Sequence, residues 1–122
     1  MIDSAFAAIL RDAVEATPRA IGSSFAARDG ELVDSFTTRE PEDWAFLTAH
    51  YGILLTHLES AFGTWHFGGP QHVVIEHAKL DVLMQPVREG YFALLAVQQP
   101  APLAVAADAL AEAVRRLRLE MG

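Results

Sequence analysis

Apolar residues recur at helical spacing over one long stretch in the middle of the chain. Pro41 suits the first position of a helix, and Glu42 and Asp43 place negative charge at the positive end of the helix dipole. A stripe of apolar residues follows at steps of three and four, and we expect it to face the core: Trp44, Leu47, Tyr51, Leu55, Leu58 and Phe62. The pattern therefore predicts one helix over Pro41–Phe62.

The same predicted helix carries a second apolar stripe on roughly the opposite side. Its members are Phe46, His50, Ile53 and His57. Only a narrow arc is suited to water, and it is centred on Thr48, Gly52, Thr56 and Glu59. A helix that packs on one side of a small domain needs only one apolar face. The second stripe therefore predicts a contact with another subunit.

Segments that alternate between apolar and polar residues predict five strands, and further apolar stripes predict a helix at each end of the chain. The strands are Arg19–Ala27, Leu32–Thr37, Gln71–Ala78, Leu80–Val87 and Tyr91–Gln98; the helices are Asp3–Ala16 and the segment opened by Pro100 and Pro102. Because consecutive strands are joined by short turns, the order α-β-β-α-β-β-β-α predicts an antiparallel sheet with helices on both faces.

Four local features sharpen this layout. Asp29-Gly30 predicts a tight hairpin turn with positive φ angles between the first two strands. One face of the first strand is small, at Gly22 and Ser24 among others, which predicts a closely packed helix. The last strand is almost wholly apolar, as expected of a central strand covered on both faces. Pro86 cannot donate a ladder hydrogen bond and predicts a bulge or a strand end.

Composition narrows the possible functions. The 122 residues suit a single domain spanning 1–122, and the 52% share of hydrophobic residues is a second indication of oligomerisation. A net charge of −7 argues against binding to nucleic acid or to an anionic membrane. The absence of cysteine excludes disulfides and thiol catalysis, and it fits a cytoplasmic location. The longest apolar run, Tyr91–Val97, is too short for insertion across a membrane.

No catalytic constellation is recognisable in the sequence. It contains neither a phosphate-binding glycine loop of the G-x-x-x-x-G-K type nor a Gly-x-Ser-x-Gly nucleophile motif. The five histidines lack the spacing of a metal site, since His50 and His57 would lie roughly 10 Å apart along a helix. We therefore expect no enzyme activity, no metal and no cofactor.

The two histidines of the second stripe lead to a hypothesis about pH. If two copies of the Pro41–Phe62 helix pack antiparallel, His50 and His57 of one copy approach those of the other. An imidazole ordinarily titrates near ~6.5, so protonation would weaken such a dimer as the pH falls through about 6. A dissociation constant that is the same at about pH 7.5 and about pH 5.5 would contradict this hypothesis.

Three segments resemble the roadblock / dynein light chain domain family. FAARDGELVDSF is similar to the first hairpin of the family, and QPVREGYFALLAV is similar to the last hairpin, which a terminal amphipathic helix follows. The longer stretch VVIEHAKLDVLMQPVREGYFALLAV and the order of elements extend the resemblance from about Ser4 to Met121. Within the family, the chain is similar to the bacterial MglB-like branch.

The resemblance implies an α/β fold of the α+β, roadblock/longin-like type. Its five-stranded antiparallel sheet has the order 2-1-5-4-3, with helices on both faces. Family members dimerise through the second helix and the third strand, here Pro41–Phe62 and Gln71–Ala78, so that two sheets join into one. The expected interface residues are Phe46, His50, Ile53, His57, His72 and Val74.

The resemblance also implies a function. Members are noncatalytic platforms for small Ras-like GTPases, and bacterial members activate GTP hydrolysis by reshaping the GTPase rather than by inserting an arginine. We expect a cytoplasmic homodimer, or a heterodimer with a paralogue, that binds a small Ras-like GTPase; GTPase activation is the sharper form of this expectation. Two alternatives stay open: a dimeric adaptor in a signalling or motility complex without effect on hydrolysis, and a small-molecule sensor domain.

Overall fold

The computed structural model describes residues 4–63 and 66–122. The elements are α1 (Ala5–Glu15), β1 (Ala20–Ala27), β2 (Leu32–Thr37), α2 (Pro41–Gly63), β3 (Val73–Glu76), β4 (Leu80–Arg88), β5 (Tyr91–Gln98) and α3 (Leu103–Met121). All strand pairs are antiparallel, in the order β2-β1-β5-β4-β3. The expected fold class, element order and strand order are confirmed. The expected start of the first helix at Asp3 lies outside the described residues.

One face of the sheet is covered jointly by α1 and α3. Ser4 caps α1, because its side chain accepts a hydrogen bond from the Ala7 amide. The two helices are also linked by an ion pair, in which Arg116 of α3 lies 2.9 Å from Asp12 of α1. The largest buried side chains that they turn to this side of the core are Ile9, Leu10, Val14, Leu110, Val114 and Leu117.

The other face is covered by α2 alone. The predicted core stripe does lie against the sheet in part, since Trp44 and Leu55 are buried and Leu47 and Tyr51 pack against the same core. The buried residues of α2 are Trp44, Thr48, Gly52 and Leu55. Thr48 and Gly52, which were expected to face water, therefore lie in the middle of the buried side. Phe62, which was expected in the core, is 44% exposed. The prediction of the water-facing arc was wrong for Thr48 and Gly52, whereas Thr56 is exposed as expected.

Close approach of α2 to the sheet explains this difference. A Cβ added to Gly52 would lie 3.1 Å from a ring of β5, and one added to Gly22 of β1 would lie 2.8 Å from the Trp44 ring. The hydroxyls of Thr48 and Ser24 are 2.7 Å apart, so a hydrogen bond compensates for their burial. Small and hydroxyl-bearing residues thus lie in the contact together with Trp44 and Leu55, and the small face of β1 does hold a closely packed helix.

The central strand is β5, and it is buried on both faces as expected. Alternate residues of β5 enter the two cores: Phe92, Leu94 and Ala96 lie toward α2, and Ala93, Leu95 and Val97 lie toward α1 and α3. The register between β4 and β5 shifts after Pro86, which confirms the expected irregularity. At the sheet edge, β3 is shorter than predicted, with Val73–Glu76 in place of Gln71–Ala78.

The turn between β1 and β2 differs in detail from the prediction. Only Gly30 has a positive φ there, of +96°, whereas the Asp29-Gly30 pair predicted more than one. The Gly30 amide donates to the Ala27 carbonyl at 3.0 Å, and the Glu31 amide donates to Asp29 Oδ1 at 3.0 Å. The turn is therefore wider than a two-residue hairpin, and Gly30 is the position whose backbone conformation favours glycine.

Candidate functional site

The outer side of α2 exposes large apolar side chains. Phe46 is 68% exposed and Ile53 is 52% exposed, and His50 and His57 are exposed on the same side of the helix. These four residues are called the α2 outer face below. Exposed apolar residues that cluster on one surface, rather than lying singly, are typical of a protein contact.

His50 is fixed within the α2 outer face. Its Nδ1 lies 2.7 Å from the carbonyl oxygen of Phe46, one helical turn earlier, and the two rings have centroids 6.2 Å apart. Since a carbonyl oxygen only accepts hydrogen bonds, we assign the proton of the neutral ring to Nδ1. The Nε2 atom is then left as an acceptor for a group outside this helix.

The strand β3 forms the edge of the sheet and pairs only with β4. The His77 amide, directly after β3, donates to the Leu80 carbonyl at 2.8 Å. In an antiparallel ladder, successive residues direct their backbone amide and carbonyl groups to alternate sides. Val74 and Glu76 therefore turn these groups to the free side of β3, where another strand can pair with them.

Side chains along β3 alternate between the two faces of the sheet. Val73 and Ile75 are half-buried and pack against the core beneath α2. Val74 is 41% exposed on the opposite face, and the exposed residues His72 and Glu76 share its side of the strand. An added strand would thus meet an apolar residue flanked by an imidazole and a carboxylate.

A groove of about 240 Å³ lies between α2 and β3, lined by His50, Tyr51, Leu54, Ile75 and His77. The Tyr51 hydroxyl is hydrogen-bonded to His77 Nε2, and their rings meet edge to face with centroids 6.0 Å apart. Burial raises the pKa of the Tyr51 hydroxyl above its usual value. The hydrogen bond ties the end of β3 to α2, so the helix and the edge strand are held together.

Further polar links hold α2 and the edge strands in place. Gln99 Nε2 donates to the His77 carbonyl and to Asp81 Oδ1, each at 2.7 Å. Arg28, in the turn after β1, forms a two-point ion pair with Glu59 of α2, in which Nη2 and Oε2 are 2.9 Å apart. These links therefore hold both α2 and the end of β3 to the rest of the sheet.

The six expected interface residues are all exposed, but they lie on two sides of the sheet. The α2 outer face lies over one side, whereas His72 and Val74 lie on the other. Leu54 and Phe62 of α2 are also exposed, at 38% and 44%, and the sequence analysis did not place them at this surface. Leu54 directly follows Ile53 in the sequence, so it could have been included in the predicted second stripe.

Several polar side chains elsewhere in the described residues have structural partners, whereas the buried Ser23 Oγ and Trp44 Nε1 have no hydrogen-bond partner. The buried Asp81 accepts a hydrogen bond from Gln99, and Arg118 Nε donates to the Val87 carbonyl at 2.6 Å. Within residues 4–63 and 66–122, no three His, Asp or Glu side chains are placed to hold a metal ion. In the same part of the chain, no helix is both long enough and apolar enough to cross a membrane.

No family model and no curated protein match the sequence. Solved structures match it closely in fold. The Roadblock/LC7 domain from Streptomyces avermitilis has a TM-score of 0.84 at 18% identity, with 93% of this chain and 94% of that chain covered. The gliding protein MglB from Thermus thermophilus has a TM-score of 0.84 at 13% identity, with 97% and 91% covered. MglC from Myxococcus xanthus has a TM-score of 0.70 at 25% identity, with 96% and 99% covered.

These matches span nearly the whole of both chains in each pair. At such low identities they establish the fold and leave the function to other arguments. They confirm the resemblance that the two hairpins indicated. The chain has the roadblock/LC7 fold, and it shares this fold with the bacterial MglB and MglC proteins.

Proposed function

We propose that this chain is a noncatalytic regulator or scaffold that forms a homodimer and binds a small Ras-like GTPase. The observation that carries the proposal is the α2 outer face beside an open strand edge, in a roadblock/LC7 fold. The family resemblance implies that this same helix and strand join two subunits. One protein of similar fold is named a gliding protein, which supports a role in the regulation of motility.

The two parts of the surface would contribute differently to a dimer. The β3 edge supplies backbone donors and acceptors, which set the geometry of the contact. The α2 outer face supplies apolar area, and a large apolar side chain that becomes fully buried contributes about 1.5–3 kcal/mol. Phe46 and Ile53 are the largest such groups on this face.

A pair of charge substitutions tests the subunit contact. Ile53→Asp places a carboxylate on the α2 outer face, and the control Val105→Asp places one on α3, where Val105 is 45% exposed. Light scattering across an about tenfold dilution should give wild type and control near twice 13.3 kDa and Ile53→Asp near the single mass. A fully dimeric Ile53→Asp variant would show that the contact lies elsewhere.

The GTPase is tested separately. A purified small Ras-like GTPase is loaded with GDP or with a nonhydrolysable GTP analogue, and its co-elution with the purified dimer is measured. Single-turnover hydrolysis is then followed with and without the dimer. Faster hydrolysis identifies an activator, and binding at an unchanged rate identifies a scaffold. Failure to bind in either nucleotide state contradicts the GTPase part of the proposal and leaves the dimer standing.

A further inference from the structure

We propose that a basic pocket at the end of α3 binds an acidic segment of another protein, with two adjacent carboxylates on its arginines and an apolar side chain beside Leu119. The pocket has a volume of about 400 Å³ and is lined by Arg88, Arg115, Arg118, Leu119 and Gly122. It is called the α3 basic pocket below. It shares no residue with the α2 outer face or with β3, so the proposed dimer is not needed for binding to it.

Two different elements bring the arginines together. Arg88 is the last residue of β4, whereas Arg115 and Arg118 lie in the last two turns of α3. The negative end of a helix dipole attracts cations, and Arg88 Nη2 does donate to the Arg118 carbonyl at 3.2 Å. That end carries only about half an elementary charge, so it cannot balance several guanidinium groups. Three of the nine lysine and arginine residues thus meet at one place on a chain whose net charge is −7.

Most of this positive charge is not neutralised within the chain. Arg118 Nε donates to the Val87 carbonyl, which is an uncharged partner. Among the described residues, neither Arg88 nor Arg118 forms an ion pair with a carboxylate. Arg115 is paired with Glu112. The α3 basic pocket therefore keeps two of its three positive charges for a ligand.

The unused donors of these two side chains are held in place. A guanidinium has five N–H groups, and the hydrogen bonds to carbonyls involve Nη2 of Arg88 and both Nε and Nη2 of Arg118. Within the described residues, Nη1 of each side chain is left without a partner. Because the carbonyl contacts already restrict both side chains, less conformational entropy is lost when a ligand binds. Guanidinium donors form strong, charge-assisted hydrogen bonds with carboxylates, so the pocket is suited to an adjacent pair of them.

A second hollow of about 330 Å³ adjoins the first, and most of its lining is small or apolar: Ala5, Ala8, Ile9, Arg116, Leu119 and Glu120. Leu119 lines both hollows and is 69% exposed. Arg116 is paired with Asp12, so Glu120 would repel a carboxylate on this side. The carboxylates of a bound segment are therefore expected on the arginine side of Leu119, and an apolar side chain on the other.

The number of charges favours a peptide over a membrane or a nucleic acid. Basic segments that bind anionic lipids carry about 4–8 lysine or arginine residues, and a protein bound to DNA typically contacts about 6–10 phosphates. The α3 basic pocket has three arginines, one of which is paired. Arginine clusters also recognise short acidic peptide motifs, and two free guanidinium groups match two neighbouring carboxylates.

Fluorescence anisotropy tests the pocket with the purified chain and a short labelled peptide in which two adjacent glutamates precede a leucine. Arg88→Gln removes a charge-assisted contact and should raise the dissociation constant about three- to tenfold. Arg115→Gln should raise it less, because Arg115 already shares its charge with Glu112. Arg39→Gln is the matched control, since Arg39 is exposed between β2 and α2, and it should bind like wild type. Thermal melting confirms that all three variants are folded.

A double-mutant cycle tests the apolar half of the contact. Leu119→Ser in the chain and leucine to serine in the peptide should each weaken binding about two- to fivefold. If the two side chains touch, the second substitution should have little further effect once the first is made. Independent, multiplicative losses would show that the peptide leucine does not lie beside Leu119 and would overturn the proposed orientation.

The outcomes decide between occupants. Weaker peptide binding in Arg88→Gln but not in Arg39→Gln, together with coupling at Leu119, supports the proposal. Absence of peptide binding at about 1 mM, or equal binding by wild type and Arg88→Gln, overturns it. Co-sedimentation with vesicles of phosphatidylserine and phosphatidylcholine is measured alongside. Vesicle binding that Arg88→Gln abolishes, without binding of the peptide, would assign the pocket to a membrane surface and overturn the peptide as its ligand.

Discussion

The layer formed by α1 and α3 differs from the layer formed by α2 in which side chains lie against the sheet. On the α1/α3 side, leucine and valine side chains such as Leu10, Leu110 and Leu117 fill the space between helix and strand. On the α2 side, Gly22 and Thr48 let the helix come close, while Phe46 and Ile53 point away from the sheet. Both layers are apolar, but only the first uses most of its large apolar side chains internally.

This difference shows that the apolar pattern of a helix does not by itself reveal the full extent of its buried side, because Thr48 and Gly52 are buried together with Trp44 and Leu55 of the predicted stripe. The sheet face under α2 is made of small residues on β1 and large residues on β5, so a glycine and a threonine of α2 fit where bulky residues would clash. The large side chains that remain are then available for a contact with another molecule. An internal charge should therefore unfold the chain, and an external one should affect only its associations.

Leu110→Asp is expected to have the largest effect. Leu110 of α3 is fully buried. An unpaired carboxylate at this position should lower the free energy of unfolding by about 4 kcal/mol or more, which is comparable to the whole stability of a small domain. The variant should show no cooperative thermal unfolding in circular dichroism. Leu119→Asp, on the same helix at a side chain that is 69% exposed, should melt like wild type. A folded Leu110→Asp variant would mean that this core tolerates charge.

Gly22→Ala tests the close approach of α2. The new methyl group would lie 2.8 Å from Cη2 and Cζ2 of Trp44, so helix and strand must separate, at a cost of about 1–3 kcal/mol. Urea unfolding measures the change. Gly63→Ala is the matched control, since no described atom lies within 4 Å of the added Cβ. Equal stabilities of the two variants would show that the α2 layer is not tightly packed.

Arg28→Met tests how burial changes the contribution of an ion pair to the free energy of unfolding. The Arg28 and Glu59 side chains are 16% and 29% exposed, so removing the guanidinium leaves a partly buried carboxylate unpaired and should cost about 1–3 kcal/mol. Arg115 and Glu112 form a similar two-point pair, but both are more than half exposed. Arg115→Met should therefore leave the urea midpoint unchanged. Equal losses in both variants would contradict the role of burial.

The smallest expected effect is the titration of Tyr51. Burial raises the pKa of its hydroxyl in the folded chain, so folding favours the neutral form. That stability is fully present below the ordinary tyrosine pKa of about 10 and is lost as the pH rises through the raised value. When the pH is raised from about 8 to above about 10, the free energy of unfolding should therefore fall less in Tyr51→Phe than in wild type.

Much of the fold could be predicted because its signals are local. The alternation in β5, the glycine of the first hairpin and the proline near the β4–β5 irregularity each act on their own neighbours in sequence. The burial of Thr48 could not be predicted in this way, because it depends on the Ser24 hydroxyl, which is distant in sequence and 2.7 Å away in space. The short β3 likewise depends on which residues find a partner in β4.

The subunit contact stays a prediction. The residues proposed for it are exposed, and β3 is an open edge of the sheet. His72 and Val74 lie on the opposite side of the sheet from the second stripe of α2. This placement follows from the alternation of side chains along β3 once its inward residues, Val73 and Ile75, are known.

The sequence by itself determined the element order, the antiparallel sheet, the two-sided character of α2 and the absence of thiol chemistry. These properties follow from periodicity and composition, which are readable without coordinates. Only the tertiary structure decided that Thr48 and Gly52 join Trp44 and Leu55 against the sheet and which backbone groups of β3 stay unpaired. Both depend on the shape and hydrogen bonding of strands that are distant in sequence, and such contacts form only when the chain is folded.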